Sequence, residues 1–359
     1  MYKYGLVLAG GGAKGIYQLG AWKAMRELGI EFEAIAGVSI GSINGAFIAS
    51  GDYEKADSFW NAAAVDKGVK ISRELKDPEN LLSYKNIPAL IREVVENKGI
   101  DASPTKAFLS EYIDEEKIRE SGIDLGIVSF HLSDFEPFEK FIGDIPEGQF
   151  IDYLLASSKI PGVSKIGPEG ERYLDGGFYD NAPVGMMLRN GYNKLIIVDI
   201  SNMKGLGHRD DFSNCEMTFI KPFDSDMLGG PMDFTPELNA KRFEMGYLDA
   251  QKAFGLLSGR IFYFGKGVFR EMVKKYGAEV CEQLEEIAYE LGLDVLKVYE
   301  SDEFITKVKE LCIDYLEEQN KKIALQEQKF YAPLLKRLPK FKTGKTYSEA
   351  IALLEEIIV

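Results

Sequence analysis

Ser39 stands in Gly37-Val38-Ser39-Ile40-Gly41, a G-x-S-x-G pattern. In that spacing a serine can be lifted out of a sharp strand-to-helix turn and presented as a nucleophile. A serine hydroxyl attacks an acyl carbon only when a base removes its proton, and the usual base is histidine. The 359-residue chain has two histidines, His131 and His208. A second group, Gly10-Gly11-Gly12-Ala13-Lys14-Gly15, could aim main-chain N–H groups at an oxyanion or cradle a dinucleotide phosphate. A third, Tyr173-Leu174-Asp175-Gly176-Gly177, sets a carboxylate ahead of a tight turn.

These groups need elements to hold them. Residues 4–10 form a continuous apolar run suited to a parallel strand buried on both faces. Ile16, Leu19, Trp22, Ala24, Met25 and Leu28 recur at helical spacing before Gly29, and 32–38 is a second strand. The chain therefore opens as a βαβ unit with two parallel, adjacent strands. Parallel neighbours end on one edge of the sheet, so the loop 10–15 and the turn 37–41 should lie side by side. The amides of Gly11 and Gly12 would then face an acyl group under attack by Ser39. A dinucleotide site instead needs an acidic residue at the end of the second strand. Glu31 and Glu33 precede its apolar stretch, 34–38, and the end of the strand carries Ser39.

Further strands are expected at 124–132, 138–143, 193–200, 216–223 and 260–265, with helices near 41–64, 79–98, 105–120, 149–157 and 182–191. The alternation predicts an α/β fold with a largely parallel sheet. After about residue 268 the pattern becomes one of charged amphipathic helices without a convincing strand. We divide the chain into a catalytic α/β domain, 1–267, and a helical cap or appended subdomain, 268–359.

The base is less direct. An α/β-hydrolase order of Ser, Asp, His would pair His208 with Asp175 or Asp199. Such hydrolases place several strands before the serine, and here one precedes it. His131 falls inside an expected strand and His208 in a glycine-flanked loop. Asp175, at a strand end, could take the proton itself if burial raises its proton affinity. Taken alone, D-G is also ordinary turn chemistry.

Three motifs in order resolve this by resemblance. GGGAKG, GVSIGSINGA and YLDGGFYDNAPV are similar to the glycine-rich loop, the G-x-S-x-G and the D-G-A/G motif of patatin-like phospholipases. ASSKIPGVSKIG, 156–167, resembles the family's segment before the aspartate, and the likeness spans about residues 4–200. The resemblance implies a three-layer α/β/α fold and a Ser–Asp dyad without histidine. It makes Ser39 the nucleophile, Asp175 the base, and Gly10, Gly11, Gly12 and Gly15 the oxyanion loop. Gly37, Gly41, Gly176 and Gly177 are the elbow and turn glycines. Lys14 stands where the family often has arginine and keeps the charge without the planar fork. The implied activity is hydrolysis of lipid esters, with a lipid or other acyl ester as partner and no cofactor. Acyl transfer to an alcohol or lysolipid would use the same dyad, and a non-catalytic lipid-binding module or a nucleotide binder would not need it.

Bulk properties narrow the partners. A net charge of −14 argues against nucleic acid and against electrostatic capture by an anionic membrane, leaving transient lipid contact through an apolar face. Cys215, Cys281 and Cys312 form no C-x-x-C pair and read as free thiols of a reducing compartment. No His/Cys/Asp cluster has metal-ligand spacing, so no metal is expected. Residues 34–51 carry no charge for 18 residues, yet their glycines fit a buried strand and helix better than a membrane span. The N-terminus shows no basic leader, and a cytoplasmic location is the expectation.

Overall fold

The computed structural model describes residues 3–63, 103–131, 136–158, 173–178, 180–201 and 213–326. The chain divides into two compact units, Met1–Ala250 and Gln251–Val359. The sequence shifts in character near residue 268, and the division falls earlier because two short strands before 268 belong to the second unit.

In the first unit, β1 (Tyr4–Leu8), a short 3-10 turn (Gly12–Gly15), α1 (Ile16–Glu27) and β2 (Phe32–Val38) build the expected βαβ unit. β1 and β2 are parallel neighbours, with Leu8 paired to Gly37. Then follow α2 (Ile40–Ser50), α3 (Tyr53–Ala62), α4 (Ser103–Tyr112), α5 (Glu115–Glu120), β3 (Asp124–His131), β4 (Glu136–Phe141) and α6 (Phe150–Ser157). The order continues with β5 (Tyr173–Asp175), α7 (Val184–Arg189), β6 (Lys194–Val198), β7 (Glu216–Ile220) and α8 (Pro236–Ala253). The sheet runs β4-β3-β2-β1-β6-β7, with β5 also paired to β3. Its β3-β2-β1-β6-β7 core is parallel, and β4 and β5 are antiparallel to β3. Leu6, Val7 and Leu8 point alternately to opposite faces and all have 0% exposure, so helices cover both faces. The fold is α/β with a mostly parallel central sheet, as the alternation of elements implies.

α8 was not expected from the pattern. It buries Asn239, Arg242 and Asp249 beside Met245 and Leu248, and polar residues on the inner face break the apolar stripe that marks a helix. The uncharged run 34–51 is the end of β2, the Ser39 turn and α2, as expected. The expected helix at 79–98 lies outside the described residues.

The second unit holds a separate sheet, β10-β9-β8, formed by β8 (Leu257–Ser258), β9 (Tyr263–Gly265) and β10 (Val298–Tyr299). The strand expected at 260–265 thus exists but belongs to this small sheet. β10 corrects the strand-free reading of 268–359; two residues are too few to show a period. Among the described residues the unit also contains the helices α9 (Val268–Tyr276), α10 (Ala278–Glu290) and α11 (Ser301–Gln326). Phe262, Phe264, Tyr299 and Phe304 form its aromatic core. The carboxylate of Glu285 accepts N–H bonds from Arg260, Ile261 and Phe262 at 3.0, 3.0 and 2.9 Å, which compensates for its burial.

Candidate active site

Ser39 is the one non-glycine residue with positive φ among the described residues, at φ 54° and ψ −124°. A serine in that region is strained, and the neighbouring glycines show what holds it there. A Cβ on Gly37 would lie 2.5 Å from the main chain of Gly41 and Ser42. A Cβ on Gly41 would run into the carbonyls of Leu8 and Ala9. The turn can be this sharp only because strand and helix touch backbone to backbone. The Ser39 N–H donates to Ser157 Oγ at 2.9 Å, and the Ser157 hydroxyl donates to the Val128 carbonyl at 2.6 Å. Ser39 is thereby tied to β3 through α6.

β3 also brings the aspartate. β4 occupies one edge of β3 from Gly126 to His131, and β2 occupies the other from Asp124 to Val128. β5 continues on the β2 edge, where Asp175 pairs with Ser129. Val38 pairs with Val128 and Asp175 with Ser129, so the residue before Ser39 and the aspartate sit on adjacent rungs of one strand. The Ser39 hydroxyl faces the Asp175 carboxylate closely enough to favour its ionised form, and the Gly177 N–H donates to Asp175 Oδ1 at 2.8 Å. Burial of the carboxyl group raises its pKa to about 6 although both groups act in the opposite direction. A Cβ on Gly176 would strike the Val128 carbonyl, which accounts for the first glycine of the turn.

The glycine loop follows β1 on the same sheet edge. Gly10 N–H donates to the Asn181 carbonyl at 3.2 Å, and Asn181 Nδ2 donates back to the Gly10 carbonyl at 3.2 Å. Ala13 N–H donates to the Pro231 carbonyl at 2.7 Å and Lys14 N–H to Gly11 at 3.2 Å. Among the described residues the N–H groups of Gly11 and Gly12 meet no protein acceptor. Gly10 is thus fastened to Asn181, and an added Cβ there would come within 2.6 Å of Asn181 Oδ1. Gly15 serves packing: a Cβ would lie 3.0 Å from the Trp60 ring, and its carbonyl accepts from Asn44 Nδ2 at 2.9 Å. Lys14 is buried, and desolvation together with the nearby Arg242 charge lowers its pKa while Asp226 opposes the shift.

A buried network locks the loop to α2, the helix that follows Ser39. Asn44 Nδ2 also donates to Gln18 Oε1 at 2.8 Å, Gln18 Nε2 donates to the Ala9 carbonyl at 2.7 Å, and Trp60 Nε1 donates to Asn44 Oδ1 at 3.1 Å. Every polar atom of the Asn44 amide is used, and both flanks of the glycine loop, Ala9 and Gly15, are held.

Residues 6–188, just over half of the chain, match the family Patatin-like phospholipase. The chain belongs to the patatin-like phospholipase family. Among curated relatives, lysophospholipase NTE1 of Cryptococcus neoformans is 28% identical over 209 residues. That match covers 57% of this chain and 12% of the relative. Lysophospholipase nte1 of Aspergillus terreus is 30% identical over 205 residues, covering 55% of this chain and 12% of its own. The chain thus matches about an eighth of the length of these relatives. Solved structures similar to it include VipD from Legionella pneumophila, at 15% identity and TM-score 0.41, covering 99% of this chain and 84% of that one. The type III effector ExoU shows 13% identity and TM-score 0.37, over 98% of this chain and 74% of that one.

The family motifs Ser39, Asp175 and Gly10–Gly12 come together on one sheet edge in this patatin-like chain. His131 sits at the end of β3, opposite Glu136 and Tyr173, and His208 lies outside the described residues. Ser157 and Asn181 escaped the sequence reading. Each acts on main chain 118 and 171 residues away, respectively, and no local pattern signals that. Asn181 lies six residues past Asp175, inside the motif that carries the resemblance. Among the described residues no group of His, Cys, Asp and Glu could hold a metal ion, and no helix is long and apolar enough to cross a membrane. Cys281 and Cys312 are free and buried, and Cys215 is free and half-buried.

Proposed function

We propose that the protein hydrolyses acyl esters of lipids through a Ser39–Asp175 dyad. The observation that carries the reading is the placement of the Ser39 hydroxyl beside a desolvated carboxylate, at a strained elbow next to two amides that meet no acceptor among the described residues. Asp175 takes the proton as Ser39 Oγ bonds to the ester carbonyl carbon, and the N–H groups of Gly11 and Gly12 hold the oxyanion. The C–O bond to the alcohol breaks as the leaving oxygen receives that proton, which gives the free alcohol and an acyl-Ser39 ester. Asp175 then takes a proton from water, the hydroxide oxygen bonds to the acyl carbon, and the fatty acid leaves as Ser39 regains its proton.

The lysophospholipase relatives and the lipid-ester chemistry of the family support a lipid substrate. The reading places the catalytic groups in 1–267, with 268–359 contributing none of them. It also includes transient lipid-surface contact through an apolar face, and a cytoplasmic location, the latter supported by the free thiols. The test compares wild type with Ser39→Ala on lysophospholipid, diacyl phospholipid and p-nitrophenyl esters, alongside labelling by a fluorophosphonate. We expect turnover and labelling by wild type alone; equal labelling of the Ser39→Ala protein would overturn the assignment.

A further inference from the structure

Arg242 has no exposed surface and no carboxylate at ion-pair distance among the described residues. Its guanidinium is wrapped by the loop 228–233 and by its own helix. Nε donates to the Leu228 carbonyl at 2.7 Å, and Nη2 to the Gly230 carbonyl at 2.8 Å. Nη1 donates to the Asp233 carbonyl at 2.5 Å and to Asn239 Oδ1 at 3.1 Å. Burying an unpaired cation is unfavourable, and a protein keeps one only where its hydrogen bonds are made by fixed partners. Here three of the four acceptors are main-chain oxygens of one six-residue loop. Only a planar fork can reach all of them at once.

That loop is the outer wall of the glycine loop. The Pro231 carbonyl, between the clamped Gly230 and Asp233, receives the Ala13 N–H at 2.7 Å. Gly12, at φ +57°, lies so close to Pro231 that a Cβ would collide with its carbonyl oxygen and come within 3.5 Å of its Cβ. Gly12 and Ala13 therefore take their place from Pro231, and Pro231 takes its place from Arg242. The amide planes of Gly11 and Gly12 follow.

We propose that Arg242 is a positioning residue of the oxyanion site: by clamping the carbonyls of 228–233 it fixes Pro231, and through Pro231 it aims the amides of Gly11 and Gly12. The inference rests on the hydrolase reading, since the aim of those amides matters only if an oxyanion forms there. It assigns work to a residue 54 positions beyond the end of the family match at 188.

The experiment uses the full-length protein with Arg242→Lys and Asn239→Ala. The first keeps the charge and loses the fork; the second removes one acceptor and leaves the fork. Three quantities are read: kcat and KM on a soluble p-nitrophenyl ester, amide exchange at Ala13, and the melting temperature. We expect kcat to fall in the order wild type, Asn239→Ala, Arg242→Lys with KM within about threefold. The loss in Arg242→Lys should reach at least about tenfold, below the ~10²–10³ of a deleted oxyanion donor. Exchange at Ala13 should quicken in the same order while Leu6–Leu8 stay protected, which a general loss of stability would not produce. A folded Arg242→Lys protein with wild-type kcat and wild-type protection at Ala13 overturns the proposal. If Arg242→Lys gives no cooperative melt, Asn239→Ala decides by the same two readings. Should wild type fail to react with a fluorophosphonate, the hydrolase reading falls, whereas exchange at Ala13 still reports on the clamp.

Discussion

A carboxylate with a pKa of about 6 is a different base from a surface aspartate near 3.8. Its folded-state pKa is raised, so the native protein holds the proton more tightly than the unfolded chain does. That contribution to stability is fully present below about pH 4 and is lost as pH rises through about 6. Above pH 6 the ionised Asp175 lowers stability by up to about 3 kcal/mol, from roughly 1.4 kcal/mol per pKa unit. Asp175→Asn should therefore melt higher than wild type at pH 8 and lose that advantage by pH 4. Its turnover should drop by about 10²–10⁴-fold, the contribution of a general base, while Ser39 stays in place. Thermal melts at the two pH values and ester kinetics check both halves; an Asn variant less stable at pH 8 would contradict the desolvation argument. Wild-type kcat/KM should rise with pH through a single limb near pH 6, and a limb near 4 would mean the carboxylate is solvated.

At the scale of elements, the site is an arrangement of edges. β1 and β2 end together, and β2 and β5 share one edge of β3, so two loops and a turn from distant parts of the chain converge. The first half of this was legible. Continuous apolar runs and helical spacing are local signals, and parallel pairing then puts loop 10–15 beside the elbow. The second half was not. β5 has three residues and its place is set wholly by pairing with β3, so the approach of Asp175 to Ser39 came from a motif likeness rather than from pattern. The Asn44 network was equally hidden, because a buried amide is identified by what it touches. Gly41→Ala should leave little active protein: the new methyl meets the carbonyls of Leu8 and Ala9, which cannot turn aside, and overpacking of this kind costs about 1–3 kcal/mol. Gly29→Ala is the comparison, at φ +65° with open space around it, and should lose stability without losing kcat. Asn44→Ala strands the Trp60 N–H and the Gly15 carbonyl in the core, and should lower stability by about 1–3 kcal/mol in denaturant titration.

Across the whole molecule, each compact unit has a core of its own, and every group assigned to the chemistry, with Arg242 and its loop, lies before Ala250. A protein ending at residue 255, just past α8, should fold and react with a fluorophosphonate at a rate comparable to the full chain. Labelling lost in a cooperatively melting fragment would show that the second unit takes part in the reaction. The helical character of that unit was legible from its amphipathic pattern and β9 from its apolar run, whereas β8 and β10 were not, since each is fixed by partners rather than by period. A cut at residue 188, the end of the family-model match, should behave very differently. β1 pairs with β2 on one side and with β6 on the other, and β6 begins at Lys194. Such a fragment keeps Ser39, Asp175 and all three motifs, yet it turns the central strand β1 into a bare edge, with Leu6, Val7 and Leu8 beside unpaired main chain. An exposed apolar edge recruits further strands, so residues 1–188 should accumulate as insoluble aggregate where 1–255 stays in solution. The segment that matches the family model is here shorter than the sheet, whose strands β6 and β7 come from sequence beyond residue 188.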